Sequence, residues 1–472
     1  MGVCLKLFGI ILIAFIAIIY QGYVYISKPL DVPTFDLNEF WGPGSKLEYK
    51  EDPTIVSNKI HYPDEVIEDL RKQLNRTWIY HDPLENVGFE YGFNTNKLKD
   101  VIKYWRDDYL PRWRERESFL WSLPHLTTEI QGLRIHFIQT KVDAATKKSK
   151  KVFPLLLIHG WPGSVREFYE LIPKLSDKNE DYVFEVVAPS LPGYGWSQAA
   201  SKKGLGPAKM AIIFRNLMLR LGYNEFFIQG GDWGSIIGSH IATIFPKNVL
   251  GYHSNMCVAN SPLAMIKGFI ASFIPSTYVE KAYEDFYFPL KGNFFKLIEE
   301  SGYFHIQSTK PDTIGTALTD NPIGLAAYIL EKFSTWTNIN YRKLKDGGLE
   351  KDFHMDALLD NIMIYYLTNS ITTSQRLYAE GITETLNTEM GRVPANPPTG
   401  CARFRYDLAH SLDWQLEEKF PNLIHSKHYP DGGHFIAMQK PEILHRDFIE
   451  FIRKSLEFHK KNKISAEKKV KA

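Results

Sequence analysis

Cysteine is nearly absent from this chain: Cys4, Cys257 and Cys401 are the three in 472 residues. No Cys-x-x-Cys pair occurs, which excludes a zinc ribbon and a dithiol redox motif. So sparse and odd a set predicts a reducing compartment and no disulfide framework. Net charge is equally scarce. Fifty-six basic and 54 acidic residues leave +2, no electrostatic footprint for nucleic acid, so no nucleic-acid partner is expected. What remains is ordinary globular material, 44% hydrophobic and 23% charged, which excludes disorder as the main theme. The length allows about three domains, or one large α/β domain with insertions. Aromatics reach 14%, for which core packing is the default reading and an apolar ligand the other.

Uncharged stretches of membrane length are also rare, with one exception. From Leu7 to Ser27 no residue carries a formal charge, and Lys6 and Lys28 bracket the run. As a helix it spans about 30 Å, the hydrocarbon thickness of a bilayer. Tyr20, Tyr23 and Tyr25 sit near one end, where aromatic rings favour the interface. The run is long for a signal peptide and no small-residue cleavage site follows it, so a membrane anchor over residues 1–28 is expected, with the lipid bilayer as partner. Position six is Lys rather than Ser or Thr, against N-myristoylation; lipidation of Cys4 is left open. A sequon, Asn75-Arg76-Thr77, matters only if the body faces a lumen.

Residues 29–50, rich in Pro, Gly and charge, read as a linker. Asp64–Asn75 and Lys97–Arg114 carry helical periodicity, Leu133–Gln139 reads as a strand, and Lys147–Lys151 as a basic loop. Then Val152–Ile158, Tyr182–Ala188 and Glu225–Gln229 form short, almost wholly apolar runs, each followed by a Gly-containing loop and a helical stretch. That alternation predicts a mostly parallel sheet covered on both faces. Residues 257–371 break the rhythm and read as an inserted helical lid. Ala402–Arg405 and Leu423–Tyr429 resume the strands, and six lysines in Lys460–Ala472 predict a solvated, mobile end. The division expected is an anchor (1–28), an N-terminal helical region (29–130), a core split into 131–256 and 372–460, a lid (257–371) and a basic tail (461–472).

Gly230-Gly231-Asp232-Trp233-Gly234 follows an apolar strand and precedes a helical pattern. Small residues two before and two after a central nucleophile-type residue suit a sharp strand-to-helix turn, where Cβ atoms would collide. The centre here is Asp232 rather than Ser, with a helix N-terminus to favour its charge. A simple N-cap Asp is the rival reading. His159-Gly160-Trp161-Pro162-Gly163-Ser164 follows the first buried strand. An oxyanion hole needs two convergent N–H groups; Pro162 has none, so Trp161 and Trp233 are the expected donors. His434, in a Gly-rich loop after Leu423–Tyr429, comes last in the chain as the base does in the hydrolase order of nucleophile, acid, histidine. Asp407 is the favoured acid because it follows the strand Ala402–Arg405; Asp413 and Asp431 are rivals.

Taken together, HGWPGS at 159–164, LPGYGWS at 191–197, GGDWGS at 230–235 and GGHF at 432–435 resemble the microsomal-type epoxide hydrolases of the α/β-hydrolase superfamily. Phe40-Trp41-Gly42-Pro43-Gly44, Ser301-Gly302-Tyr303 and Ser374-Gln375-Arg376-Leu377-Tyr378 extend the likeness over nearly the whole chain, which is similar to the insect juvenile hormone epoxide hydrolases. The resemblance implies an α/β-hydrolase fold with a helical lid and an N-terminal helical extension. It implies Asp232 as nucleophile, His434 as base and Asp407 as its acid, where many members carry the longer Glu. It also implies Tyr303 and Tyr378 as donors to the epoxide oxygen. The expected substrate is a small lipophilic epoxide, juvenile hormone or a broader xenobiotic set, and the location the endoplasmic reticulum membrane, with a single span and a cytosolic body. No metal or organic cofactor is expected.

The chemistry agrees with the residue types. A carboxylate is already charged at neutral pH and can attack a strained ring carbon, whereas Ser would need deprotonation. Phenol hydroxyls can protonate the departing alkoxide, and a histidine can activate the water that cleaves the ester. The competing readings are weaker. A haloalkane dehalogenase would need halide donors rather than paired phenols, a serine esterase would need Ser at the elbow, and a non-catalytic membrane-tethered hormone carrier would have lost the triad.

Overall fold

A computed structural model describes the backbone of residues 2–76 and 80–471; the side chains of residues 2–6, 9–11, 385–388 and 468–471 lie outside the description. The apolar runs become the middle of a nine-stranded sheet. Its strands are β1 (Val56–Ser57), β2 (His125–Ile130), β3 (Leu133–Gln139), β4 (Lys151–Ile158), β5 (Tyr182–Pro189), β6 (Phe226–Gly230), β7 (Val249–Ser254), β8 (Thr399–Tyr406) and β9 (Leu423–Gly433). Spatial order is β1-β2-β3-β5-β4-β6-β7-β8-β9. The pairs from β5 through β9 are parallel; β1, β2 and β3 add antiparallel strands at one side. This is the α/β-hydrolase architecture that the sequence predicts, with Leu155–Ile158 and the whole of β6 buried, as strands covered on both faces must be.

Successive residues of β7 identify the two covering layers. A Cβ on Gly251 would point at Phe451 and Ser455 of the C-terminal helix Pro441–Lys471, while the next side chain, Tyr252, reaches Gly238 and donates to the Ser235 carbonyl (2.7 Å) in the helix Asp232–Ile244. Neighbouring residues of a strand point to opposite faces, so these two helices sandwich the sheet. Between β7 and β8 the chain is helical, including Pro262–Ala271, Leu290–Glu300, Gly302–Thr309, Pro322–Thr335, Met355–Thr368 and Ile371–Thr388. Met355–Thr368 is pinned to the core by Asp360. This fully buried acid accepts from Arg116 Nη2 (2.5 Å), Arg166 Nε (3.0 Å) and the Tyr109 hydroxyl (2.9 Å).

Several local expectations are corrected. Residues 29–50 are no loose linker: Phe40 and Trp41 are buried, the Trp41 N–H donates to the Gln131 carbonyl (2.9 Å), and the Phe40 ring lies where a Cβ on Gly132 would stand. Lys147–Lys151 is not a loop. Asp143 caps a short helix, Ala144–Ser149, through the Thr146 N–H (2.9 Å), and β4 starts at Lys151. The lysine-rich end continues as helix to Lys471, with residues 460–467 exposed. Cys257 and Cys401 are joined in a disulfide, against the expectation of none; folding brings β8 beside the loop leaving β7, across a sequence separation of 144 that spacing could not reveal.

The N-terminal helix runs Gly2–Ser27, and Arg392 donates to the Tyr25 carbonyl (3.0 Å) at its end. Among the described residues no helix is long and apolar enough to cross a membrane, so the span expected over 1–28 is not evident in the structure. Of the remaining calls there, the Cys4 side chain and Thr77 of the sequon lie outside the described residues, while Asn75 is exposed.

Candidate active site

Register sets the site. Ile158, the end of β4, pairs with Gly230 at the end of β6, and Tyr406 of β8 pairs with Gly433 of β9. The loops carrying Trp161, Asp232, Asp407 and His434 therefore leave the same edge of the sheet, the carboxyl ends of parallel strands. Asp232 takes a left-handed backbone, φ +48°, at the strand-to-helix turn. The flanking glycines are steric requirements. A Cβ on Gly234 would stand 1.9 Å from the Ile158 carbonyl oxygen, and one on Gly230 2.5 Å from the Gly234 carbonyl oxygen.

The predicted residues converge. The Trp161 N–H donates to Asp232 Oδ1 (2.8 Å), His434 Nε2 lies 3.3 Å from Asp232 Oδ2, and His434 Nδ1 donates to Asp407 Oδ1 (2.7 Å). The Trp233 N–H belongs to the first turn of the elbow helix, where backbone donors have no partner within the helix. Asp407 Oδ1 also accepts from the Leu408 N–H (2.7 Å), and its Oδ2 is buried without a partner among the described residues. The rival acids are engaged elsewhere: Asp413 with Arg403 (2.6 Å) and the Ser426 hydroxyl (2.8 Å), Asp431 with Lys440 and the Gly432 N–H (2.8 Å). Burial opposes a charged imidazole at His434, but Asp407 and Asp232 outweigh it and push the ring up to about 10.

Tyr303 and Tyr378 come from the helices Gly302–Thr309 and Ile371–Thr388 to stand over the same point. Their rings are 5.8 Å apart; Tyr303 stacks on Trp161 at 5.4 Å, and Tyr378 meets Trp233 edge-on at 4.9 Å. Burial, then the charge of Asp232 among other neighbours, raises both phenols well above their ordinary value, so both remain proton donors. The Tyr378 hydroxyl is buried without a hydrogen bond of good geometry to any described residue.

Three residues here escape sequence reasoning. The Trp336 carbonyl accepts the His434 N–H (2.9 Å), and its ring lies 5.1 Å from the imidazole and 5.0 Å from Tyr303. Glu167 and Asn255 join Asp232 and His434 around a chamber of about 20 Å³, the size of one water molecule. Glu167 opens onto that chamber yet is enclosed by protein. Burial pushes its carboxyl up to about 8, with His434 pulling down and Asp232 adding to the rise. Its place within HGWPGSVREF was the available signal.

A second cavity, about 360 Å³, lies beyond Trp233 and is lined by Ile236, Met256, Phe304, Ile382 and Phe420 among others. Lys419 on its wall is pushed down to about 7 by burial. It donates to Thr243 Oγ1 (2.9 Å) and to the carbonyls of Met390 (2.9 Å) and Val393 (2.6 Å), which gives it a structural role. Among the described residues, His253, His425 and Asp447 have the chemistry of a metal site. Asp447, however, already accepts from His253 (2.8 Å), His425 (3.0 Å) and the Tyr429 hydroxyl (2.6 Å), a closed network away from the elbow.

Known proteins carry the same frame. The family described as epoxide hydrolase N terminus matches residues 55–168, and the alpha/beta hydrolase fold family matches residues 154–397. The chain is 47% identical to juvenile hormone epoxide hydrolase 1 of Ctenocephalides felis over 99% of both chains. It is 43% identical to epoxide hydrolase 1 of Sus scrofa over 91% of this chain and 95% of that one. The crystal structure of juvenile hormone epoxide hydrolase from the silkworm Bombyx mori superposes with a TM-score of 0.86 at 44% identity, covering 90% of this chain and all of that one. Aspergillus niger epoxide hydrolase gives 0.70 at 27% identity, over 85% of this chain and 97% of that one. An elbow with aspartate in place of serine, on a hydrolase sheet matched end to end by such relatives, means that this chain belongs to the microsomal-type epoxide hydrolases of the α/β-hydrolase superfamily and is an epoxide hydrolase.

Proposed function

We propose that the enzyme converts a lipophilic epoxide, juvenile hormone above others, to a vicinal diol through an ester on Asp232. One observation carries the mechanism: the Asp232 carboxylate has Oδ1 on the Trp161 N–H and Oδ2 beside His434 Nε2. With Oδ1 held, Oδ2 attacks. It bonds to a ring carbon as that carbon's bond to the ring oxygen breaks, and Tyr303 or Tyr378 gives the departing oxygen its proton while the other donates a hydrogen bond. Such donors act strongly in an enclosed pocket.

Water then cleaves the ester. Once the ester has removed the Asp232 charge, the His434 imidazolium gives its proton to the tyrosinate, and the neutral ring, oriented by Asp407, then takes one proton from the water as the water oxygen bonds to the Asp232 carbonyl carbon. Glu167 holds that water as a positioning residue facing the same chamber. Negative charge collects on Oδ1, between the N–H groups of Trp161 and Trp233. Collapse breaks the bond to the substrate oxygen, which takes the proton from His434. The second water proton leaves the new carboxyl for His434, which restores the imidazolium and the Asp232 carboxylate beside it.

Single turnover in heavy-oxygen water tests the scheme. Label is expected in Asp232, and replacing His434 is expected to trap the alkylated peptide. Label passing straight into the diol, with none in Asp232, overturns it. Juvenile hormone is supported by the names of the insect relatives and by the apolar cavity beyond Trp233. The broad-substrate reading draws on the mammalian relative. The ratio of kcat/KM for juvenile hormone to that for styrene oxide separates the two.

The same reading includes the chain division given above, with anchorage in the endoplasmic reticulum membrane through residues 1–28 and a cytosolic body. The uncharged run Leu7–Ser27 supports it. Asn75 is expected to carry no glycan in microsomes; a glycan there overturns the orientation.

A further inference from the structure

The lid turns apolar side chains outward on two helices. Met265, Phe269 and Phe273 are 60%, 59% and 71% exposed on and just beyond Pro262–Ala271, and Phe294, Leu297 and Ile298 are 58%, 61% and 54% exposed on Leu290–Glu300. The end of the first helix and the start of the second line one groove, through Ser272, Pro275, Pro289 and Leu290, so the two faces adjoin. Soluble monomers rarely leave such a face in water.

Three observations identify what covers it. The N-terminal helix Gly2–Ser27 packs against Pro262–Ala271, and its described side chains, such as Ile13, Phe15 and Ile18, are exposed and apolar too. A protein partner seated on the lid alone would leave that helix bare. Lys291 stands exposed at the edge of the second apolar face, the pattern of a helix lying in an interface, where a lysine stem reaches up to headgroups. Inward, Phe304 is 38% exposed, lines the cavity beyond Trp233 and meets the Tyr378 ring at 5.5 Å, so outer surface and catalytic pocket share a wall.

We propose that the outer face of the lid, formed by Pro262–Ala271 and Leu290–Glu300 and continuous with Gly2–Ser27, lies in the interfacial layer of a lipid bilayer, and that apolar epoxides pass from the membrane by Phe304 to Asp232. The inference rests on the epoxide-hydrolase and anchorage readings and extends them. It makes the lid a second membrane contact and the bilayer the route of substrate entry.

Full-length enzyme in phosphatidylcholine vesicles, with a phospholipid bearing a diazirine in mid acyl chain, gives the direct test. Irradiation and peptide mapping are expected to label residues 262–274 and 290–298 as well as the N-terminal helix. Labelling confined to residues 2–27 overturns the proposal, as does an unlabelled lid that instead buries itself in a dimer of this chain in detergent. The route is tested with the triple variant Phe269→Glu, Phe294→Glu, Ile298→Glu. It is expected to lose about tenfold in kcat/KM for a vesicle-dissolved epoxide and little for water-soluble styrene oxide. An equal effect on both substrates, or none, overturns membrane entry. Wild-type enzyme inert to every epoxide defeats the activity reading instead, and the labelling still decides the membrane contact.

Discussion

His434 stands between two carboxylates, and only one of them keeps its charge through the first half of the reaction. In the resting site Asp407 and Asp232 hold the imidazolium against burial, up to about 10. Alkylation turns Asp232 into a neutral ester, so the ring loses one anionic neighbour and releases its proton more readily. The two half-reactions therefore separate in pH. Ester formation is expected to stay level until pH approaches about 10, while ester hydrolysis, which needs neutral His434, reaches its plateau at lower pH. Stopped-flow tryptophan fluorescence reads both phases, and identical profiles contradict the scheme. Stability follows with a definite sign. The native state binds a proton at His434 that the unfolded chain releases above its ordinary 6.5, so this contribution is complete below 6.5 and fades as pH rises toward about 10. Glu167 makes a second prediction. Glu167→Leu is expected to slow ester hydrolysis by roughly tenfold to a hundredfold and spare alkylation, so that ester accumulates; Glu167→Gln, which still offers hydrogen bonds, recovers most of the rate. A variant that slows both steps equally marks a packing role instead. Part of this was legible in the sequence. The triad follows from chain order and motif, and Glu167 had its place within HGWPGSVREF to mark it, but Trp336 enters the site through a lid carbonyl, which no local pattern encodes.

Elements were legible in proportion to how far their burial is local. β4, β5 and β6 match the apolar runs to within a residue or two, because strands covered on both faces must be apolar throughout. β7 was not among the strands expected. Gly251, Tyr252, His253 and Ser254 are buried by a helix on either face and by flanking strands, not by an apolar run of their own. The π-helical turn Trp105–Tyr109, which interrupts the helix expected over Lys97–Arg114, was likewise invisible. What holds the lid helix Met355–Thr368 was hidden for the same reason: Asp360 meets Arg116, Arg166 and Tyr109 from distant segments. Removing this acid takes the fully buried partner from two guanidinium groups, leaving Arg166 with Glu170 (2.8 Å) and Arg116 with Asp356 at 3.7 Å. Asp360→Ala is expected to cost about 3–5 kcal/mol in urea unfolding. Tyr365, on the same helix, donates to the Gly163 carbonyl (2.8 Å) in the oxyanion loop. The variant should therefore raise KM and lower kcat together, a result that a purely local change would not give.

At the scale of the whole molecule the Cys257–Cys401 bond ties the two halves of the core across everything the lid contributes. The enclosed loop, with a sequence separation of 144, carries both tyrosines, whereas Asp232 and His434 stand outside it. The sheet alone fixes the nucleophile and the base. The donors to the epoxide oxygen depend on how the loop sits, and the bond limits the unfolded chain's freedom to separate the two. In the chain-entropy description a loop of this size is worth about 5 kcal/mol, and both sulfurs are buried, so reductant should reach them slowly in the folded state. Cys401→Ala is therefore expected to lower the urea midpoint by the equivalent of several kcal/mol. Single-turnover ester formation should weaken only where partial lid opening begins, because the carboxylate remains on its elbow. Mapping without reduction should recover the peptides of Cys257 and Cys401 as one linked species. The bond also bears on orientation, because thiols in the cytosol are kept reduced. If microsomes acid-quenched and alkylated in denaturant yield both cysteines blocked, the bond forms only after isolation and the cytosolic body stands. A linked pair together with a glycan on Asn75 puts the body in the lumen, and membrane entry through the lid then proceeds from that side.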